Sequence, residues 1–237
     1  MEHLVVELRF ILNTAFHSTG NLRRLGVDKA LARNAEGQWV IPATTVKGFL
    51  REKAEVLLRT WGHPVCIGPE PANMCDGQVP CLVCQVFGNP RHLSALRFAD
   101  AAPISEVGSG VRSGVAISRH RRAAYSQRLF FVETTGPGAT EWWAECEGDF
   151  QDVDEAKTAA ALVALAACWG TAIGGGKSRG LGWIEKVQVK AVLNGTEVSE
   201  QELQSIWQAW REGWKCGWRL SPKSHCFWGK CGQSPNS

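Results

Sequence analysis

No stretch of this 237-residue chain approaches the ~18 consecutive apolar residues that a membrane helix needs. The most apolar run, Ala159 to Ala167, is alanine-rich and far shorter, which reads as a buried helix. Charge of one sign is also missing. Lys and Arg number 26 against 23 Asp and Glu, for a formal +3. That excludes a polycationic nucleic-acid coat but leaves room for a local basic track, because whole-chain charge averages over faces. The nine cysteines are an odd number, which excludes a fully paired secreted disulfide framework. Glu2, Glu7 and Arg9 interrupt the first apolar residues and no basic start precedes them, so no secretory leader is expected. A cytoplasmic location with reduced thiols follows as the expectation. What is present is globular: 44% hydrophobic and 21% charged residues argue against disorder.

Alternation over Leu4 to Leu12 predicts a half-buried strand. Trp39-Val40-Ile41 reads as a short strand running into Pro42, and Thr44 or Thr45 as the cap of a helix over about Val46 to Trp61. Residues 63–90 are too dense in Cys, Gly and Pro for one regular element. Short strands are expected at Leu96 to Ala99, Arg128 to Glu133 and Glu141 to Glu147. Asp152 or Asp154 caps a helix to about Trp169, a strand covers Leu181 to Val192, and Ser199 to Trp214 is an amphipathic helix. This order suits an α+β, ferredoxin-like sheet with helices on one face, lengthened by insertions.

Cys66, Cys75, Cys81 and Cys84 lie close together, and the Cys81-Leu-Val-Cys84 spacing lets two thiolates face one ion from a tight turn. Four soft ligands in tetrahedral arrangement favour structural Zn²⁺. Four reduced cysteines in an irregular loop are the alternative, and His63 could replace one thiolate. Cys146 and Cys168 sit on apolar patterns as core residues. Cys226 and Cys231 with His225 make a second, partial set. Gly174 to Gly182 reads GGGKSRGLG, either a flexible connection or a loop whose backbone N–H groups meet phosphate beside Lys177 and Arg179. It follows a helix and precedes a strand, which is not the Walker context. From Val107 to Val132 there are Arg112, Arg119, Arg121, Arg122 and Arg128 and no acid, a pattern for salt-dependent phosphate binding with Tyr125 available for stacking. Arg23, Arg24, Lys29 and Arg33 surround Asp28 as a second basic patch.

Ile41-Pro42-Ala43-Thr44-Thr45-Val46-Lys47-Gly48-Phe49-Leu50-Arg51 resembles the "IPGSSLKGALR" stretch of the RAMP superfamily, Cys84 to Gly88 its "C-x-LFG" element, and Gly174 to Gly182 its "G-x-GKSRGLG" loop. Val115 to Arg119 followed by Phe130-x-x-Glu133 is similar to its "V-x-IDR…LF-x-x-E" segment. Within that superfamily the chain looks most like the repeated backbone subunit of type III CRISPR effector complexes. The resemblance implies a modified ferredoxin-like (RRM-like) fold over 1–237, with a zinc-binding Cys-rich insertion at 63–90 and a basic thumb hairpin at 103–128. It implies that the subunit polymerises along CRISPR guide RNA with copies of itself and other subunits, and flips out a base of the paired target RNA at regular intervals.

The family's signature aspartate stands in a "GG-x-D-x-P-x-x-R" context. Gly26, Asp28 and Arg33 match it here, whereas Leu25 and Ala30 replace the first Gly and the Pro, and Ser118 replaces the Asp before Arg119. The implied activity is metal-dependent endoribonucleolytic cleavage of target RNA, with Asp28 as base or ligand of Mg²⁺ or Mn²⁺ and a 2′,3′-cyclic phosphate product. The implied RNA contacts are His17, Arg23, Arg24, Lys29, Arg33, Lys47, Arg51, Arg112, Arg119, Arg121, Arg122, Gly175, Gly176, Lys177, Ser178 and Arg179. Two further readings remain open: a backbone or cap subunit of the same complex that binds without cutting, and a CRISPR-RNA processing endoribonuclease with His17 as base.

Overall fold

The computed structural model describes residues 1–20, 24–68, 70–75 and 79–212. Its centre is strand β1 (Glu2–Leu12). Leu4, Val6, Leu8, Phe10 and Leu12 are all fully buried on one face, as the two-residue period requires. β1 pairs antiparallel on one side with β6 (Thr140–Phe150) and on the other with β7 (Ile184–Leu193). The short strands β2 (Arg97–Phe98) and β3 (Ala102–Pro103) extend the sheet beyond β6, and β8 (Thr196–Glu197) beyond β7.

Helices α1 (Ala43–Thr60) and α3 (Val153–Trp169) cover the apolar face. The order β1, α1, β2, β6, α3, β7, with β1 central and every pairing antiparallel, is that of a ferredoxin-like sheet. Alanine lets α3 lie close: Ala156, Ala159, Ala160, Ala161, Ala164, Ala166 and Ala167 have no exposed surface. The Asp152 side chain accepts the Glu155 N–H and caps the helix. Helix α4 (Glu200–Glu212) starts at a reciprocal box, in which Glu202 accepts the Ser199 N–H at 3.0 Å and Ser199 accepts the Glu202 N–H at 3.3 Å.

Two pieces depart from the expected elements. Trp39 to Ile41 makes only single bridges, Arg33 with Trp39 and Ile41 with Ala101, because Pro42 has no N–H to carry the ladder on. Pro42 rather than Thr44 or Thr45 then stands at the start of α1, and Asp100 reaches across to accept the Ala43 N–H at 2.7 Å. The basic stretch builds a long separate hairpin, β4 (Ser109–Ser118) with β5 (Ala123–Thr135), inserted before β6. The Cys-rich residues follow α1 and end in the short helix α2 (Leu82–Phe87). Cys146 is core, and its burial pushes the thiol up to about 12. Cys168, expected with Cys146 in the core, is only half-buried near the end of α3. His225, Cys226 and Cys231 lie outside the described residues, as does Arg23. No described helix is long and apolar enough to cross a membrane.

Candidate functional site

The loop that follows β1 is folded onto the end of β5. Asp28 donates its N–H to the Phe131 carbonyl at 3.0 Å and accepts the Phe131 N–H on Oδ2 at 2.7 Å. Lys29 N–H bonds the same carbonyl, and Glu133 N–H returns to the Lys29 carbonyl at 2.9 Å. Asp28 is thus clipped to the root of the hairpin by its own side chain while remaining exposed. The clip is a bond to β5, not a cap of its own turn.

Glu133 is the anchor of this arrangement. Its side chain is buried, accepts the Leu31 N–H at 3.1 Å, pairs with the Arg24 guanidinium, and has Arg33 3.8 Å away. Arg33 also lies flat on Trp39, 3.7 Å from the ring centre. Arg24 and Arg33 therefore hold the loop around Asp28 through Glu133 and Trp39, and Lys29, next to Asp28 in the chain, is exposed as they are. Sequence patterns had Glu133 only as a motif letter. The signal that marks it is a lone acid ending an acid-free basic stretch, which needs a cation wherever it is buried.

His17 lies beneath the same loop, 5% exposed. Its Nδ1 is 2.6 Å from the Glu133 carbonyl and its Nε2 3.0 Å from Thr19 Oγ1. A carbonyl can only accept, so Nδ1 carries the proton and neutral Nε2 accepts from the Thr19 hydroxyl. Burial lowers the imidazole below its ordinary value, and Lys29 adds to this against the raising effect of the Glu133 carbonyl. With both nitrogens engaged, His17 is a spacer between segments rather than an open base.

The glycine-rich loop packs against His17 from the other side. Gly175 N–H donates to the His17 carbonyl at 2.7 Å, so that donor serves the fold and not a phosphate. Gly176 precedes a single 3₁₀ turn, Lys177–Arg179, which holds Lys177, Ser178 and Arg179 exposed. Gly182 has φ +67°, and a Cβ there would meet the Ile173 carbonyl at 1.9 Å; no other residue fits. Ser18, Thr19, Thr45, Gly48, Glu52, Gly174, Gly175 and Lys177 line a cleft of about 390 Å³. Lys177 reaches Glu52 across it at 3.4 Å. Arg179 stands over Phe130 of β5, 5.6 Å from the ring centre, which joins the loop to the hairpin.

The remaining basic residues divide by location. Arg112, Arg119, Arg121 and Arg122 are exposed along the hairpin, with Arg121 over Tyr125 at 5.6 Å. Lys47 lies 5.8 Å from the Phe98 ring centre, its ammonium disfavoured by burial and by Arg51. Arg51 sits at the cysteines instead. Its Nη2 approaches Cys84 Sγ at 3.8 Å, Nη1 donates to the Gly88 carbonyl, and Nε donates to Glu55 at 2.8 Å.

The four sulfurs of Cys66, Cys75, Cys81 and Cys84 lie within 4.8 Å of one another. A tetrahedral ion with ligands at ~2.3 Å spaces its sulfurs at ~3.8 Å. The pairs Cys66–Cys84 at 3.3 Å and Cys66–Cys81 at 3.8 Å bracket that spacing. Cys81 and Cys84 come from the start of α2, and Cys75 Sγ accepts the Cys81 N–H at 3.3 Å. Burial pushes the Cys81 thiol up, but backbone hydrogen bonds at Cys66 and Cys84 outweigh it and bring it down to about 7. The donor set fits one metal ion. His63 is not part of it: its Nε2 is 2.8 Å from the Trp210 carbonyl.

No curated protein matches the chain. A profile of the RAMP superfamily matches residues 10–185, from β1 to the first residues of β7. That span holds the end of β1, strands β2 to β6, both covering helices, the Asp28 loop, the hairpin, the cysteines and the glycine-rich loop. The match runs through the same elements that carry every candidate site, and on that evidence the chain belongs to the RAMP superfamily.

Proposed function

We propose that the protein is a CRISPR RNA-binding backbone subunit of a type III effector complex that cuts complementary target RNA beside Asp28. Superfamily membership supports RNA binding. The observation that carries the finer reading is Asp28 itself: an exposed residue clipped by its N–H and one carboxylate oxygen to the root of a hairpin that carries Arg112, Arg119, Arg121, Arg122 and Arg128. In this reading the hairpin is the thumb that splays the guide–target duplex, and an extruded nucleotide would be held at its root, beside Asp28.

The chemistry needs few groups. A flipped nucleotide can bring its 2′-hydroxyl in line with the leaving 5′ oxygen, and orientation alone removes much of the barrier. Asp28 takes the hydroxyl proton as the oxygen attacks phosphorus. The P–O5′ bond breaks, the leaving oxygen takes a proton from water, and a 2′,3′-cyclic phosphate remains. Lys29 offsets the charge that builds on the phosphoryl oxygens. Among the described residues Asp28 belongs to no group of three or more potential metal ligands; Mg²⁺ or Mn²⁺, which the resemblance implies, would take Asp28 as a ligand and supply positive charge to the phosphoryl oxygens, and the steps above are those of the chain's own groups. The four cysteines are assigned to a structural Zn²⁺: four thiolates leave no open position for chemistry.

The test is a reconstituted complex carrying Asp28→Asn. The expected result is unchanged RNA affinity with target cleavage slowed by about 10²–10⁴-fold. Cleavage at the wild-type rate would overturn the assignment, and a wild-type complex that binds target without cutting it would leave the non-cleaving subunit as the answer.

A further inference from the structure

Arg51 lies in the segment that would supply RNA contacts, yet both terminal nitrogens of its guanidinium are directed at the insertion and Nε at Glu55 of the same helix. Nε donates to Glu55, Nη1 to the Gly88 carbonyl, and Nη2 approaches Cys84 Sγ at 3.8 Å, within reach of an N–H···S bond. The Arg51 and Glu55 side chains are only 19% and 17% exposed. One turn further along α1, Arg59 donates to the Cys66 carbonyl at 3.2 Å. Residues 51, 55 and 59 are four apart and form one stripe of the helix. That stripe touches both ends of the cysteine set, while Thr45, Gly48 and Glu52 face the cleft beside Lys177.

Four thiolates around a divalent ion carry a net double negative charge. Cys84, the fully buried member, cannot shed its share to water. A fixed guanidinium against that sulfur lowers the cost of the charge and orients the ligand, as outer-shell groups do in other metal centres. We propose that Arg51 is the outer-shell charge partner of the metal, held in place by Glu55, and is not a phosphate ligand. The α1 helix then has two separate jobs on two faces: it braces the metal on one and borders the cleft on the other.

This inference rests on the metal reading of the four cysteines, and the experiment separates the two. Zinc is measured in the purified full chain, and its affinity by competition with a chelating dye, for wild type, Arg51→Gln, Arg51→Lys and Glu55→Gln. Guide-RNA affinity is measured against salt for each. Arg51→Gln is expected to bind zinc about 10–100-fold more weakly, Arg51→Lys to recover part of this, and Glu55→Gln to lose less in the same direction. The salt slope of RNA binding should not change. A slope reduced by ~0.7, one lost phosphate contact, with zinc affinity intact would overturn the proposal. If Arg51→Gln does not fold, Glu55→Gln decides: zinc held as tightly as in wild type rejects the role. Wild-type protein without zinc would instead reject the metal site itself.

Discussion

At the scale of single residues, polar side chains hold together what the backbone leaves as loop. His17 joins β5, the Asp28 loop and the glycine-rich loop through two ring nitrogens and a carbonyl. Burial keeps its imidazole below the ordinary value, so the folded chain takes up that proton at lower pH than the unfolded chain does. The unfolded state therefore binds more protons once the pH falls below about 6.5, and the stability linked to His17 is complete above that value and lost below it. The expected outcome is a melting temperature that drops between pH 7.5 and 5.5, with a smaller drop in His17→Gln. Equal drops in the two proteins would show that His17 is not the titrating group. Glu133 works alongside it: without its carboxylate, the Leu31 N–H and the Arg24 guanidinium lose their common acceptor.

At the scale of elements, the joint between α2 and the next loop is the most constrained. Gly88 has φ 72° and ψ 174°, a region open almost only to glycine. A Cβ there would meet the Ser94 nitrogen at 2.6 Å, and its carbonyl receives Arg51. Gly88→Ala is expected to cost at least ~1–3 kcal/mol in backbone strain and to weaken zinc binding, read by chemical denaturation and chelator competition. Strands and helices at this scale were legible in the sequence wherever a period was sustained: Leu4 to Leu12, the α1 stripe and the alanine face of α3 all lie where their spacing puts them. The cysteine cluster was legible from spacing alone, and its four sulfurs do converge. Less could be read where long-range partners decide. The cap of α1 comes from Asp100, far along the chain. The bridge at Ile41 depends on Ala101. The direction of Arg51 depends on Cys84 and Gly88, which no local pattern encodes.

At the scale of the whole molecule, a net +3 conceals a strong separation of charge. The face of the sheet away from the helices carries paired side chains: Arg9 with Glu141, Lys190 with Glu7, His3 with Asp149, and Arg97 with Glu147. Such a surface has its positive charge already matched and offers little to phosphate. The cations with no acid near them in sequence are on the hairpin, where Arg112, Arg119, Arg122 and Arg128 are exposed. Replacing these four with glutamine should weaken RNA binding and flatten its salt dependence by up to ~3 units of log–log slope, whereas charge removal on the sheet face should do neither. Titration of guide-RNA binding against salt distinguishes the two surfaces. The cleft beside Lys177 and the Asp28 loop meet at His17, so one buried side chain supports both the surface proposed to grip RNA and the group proposed to cut it.

The measurement that bears most directly on this account is end-group analysis of target RNA after incubation with complexes assembled from wild-type or Asp28→Asn protein. The account predicts that wild type yields fragments ending in 2′,3′-cyclic phosphate at regularly spaced positions, and that the variant, bound to the same RNA, yields them about 10²–10⁴-fold more slowly. The same fragments at the same rate from both complexes, or none from either, would contradict it.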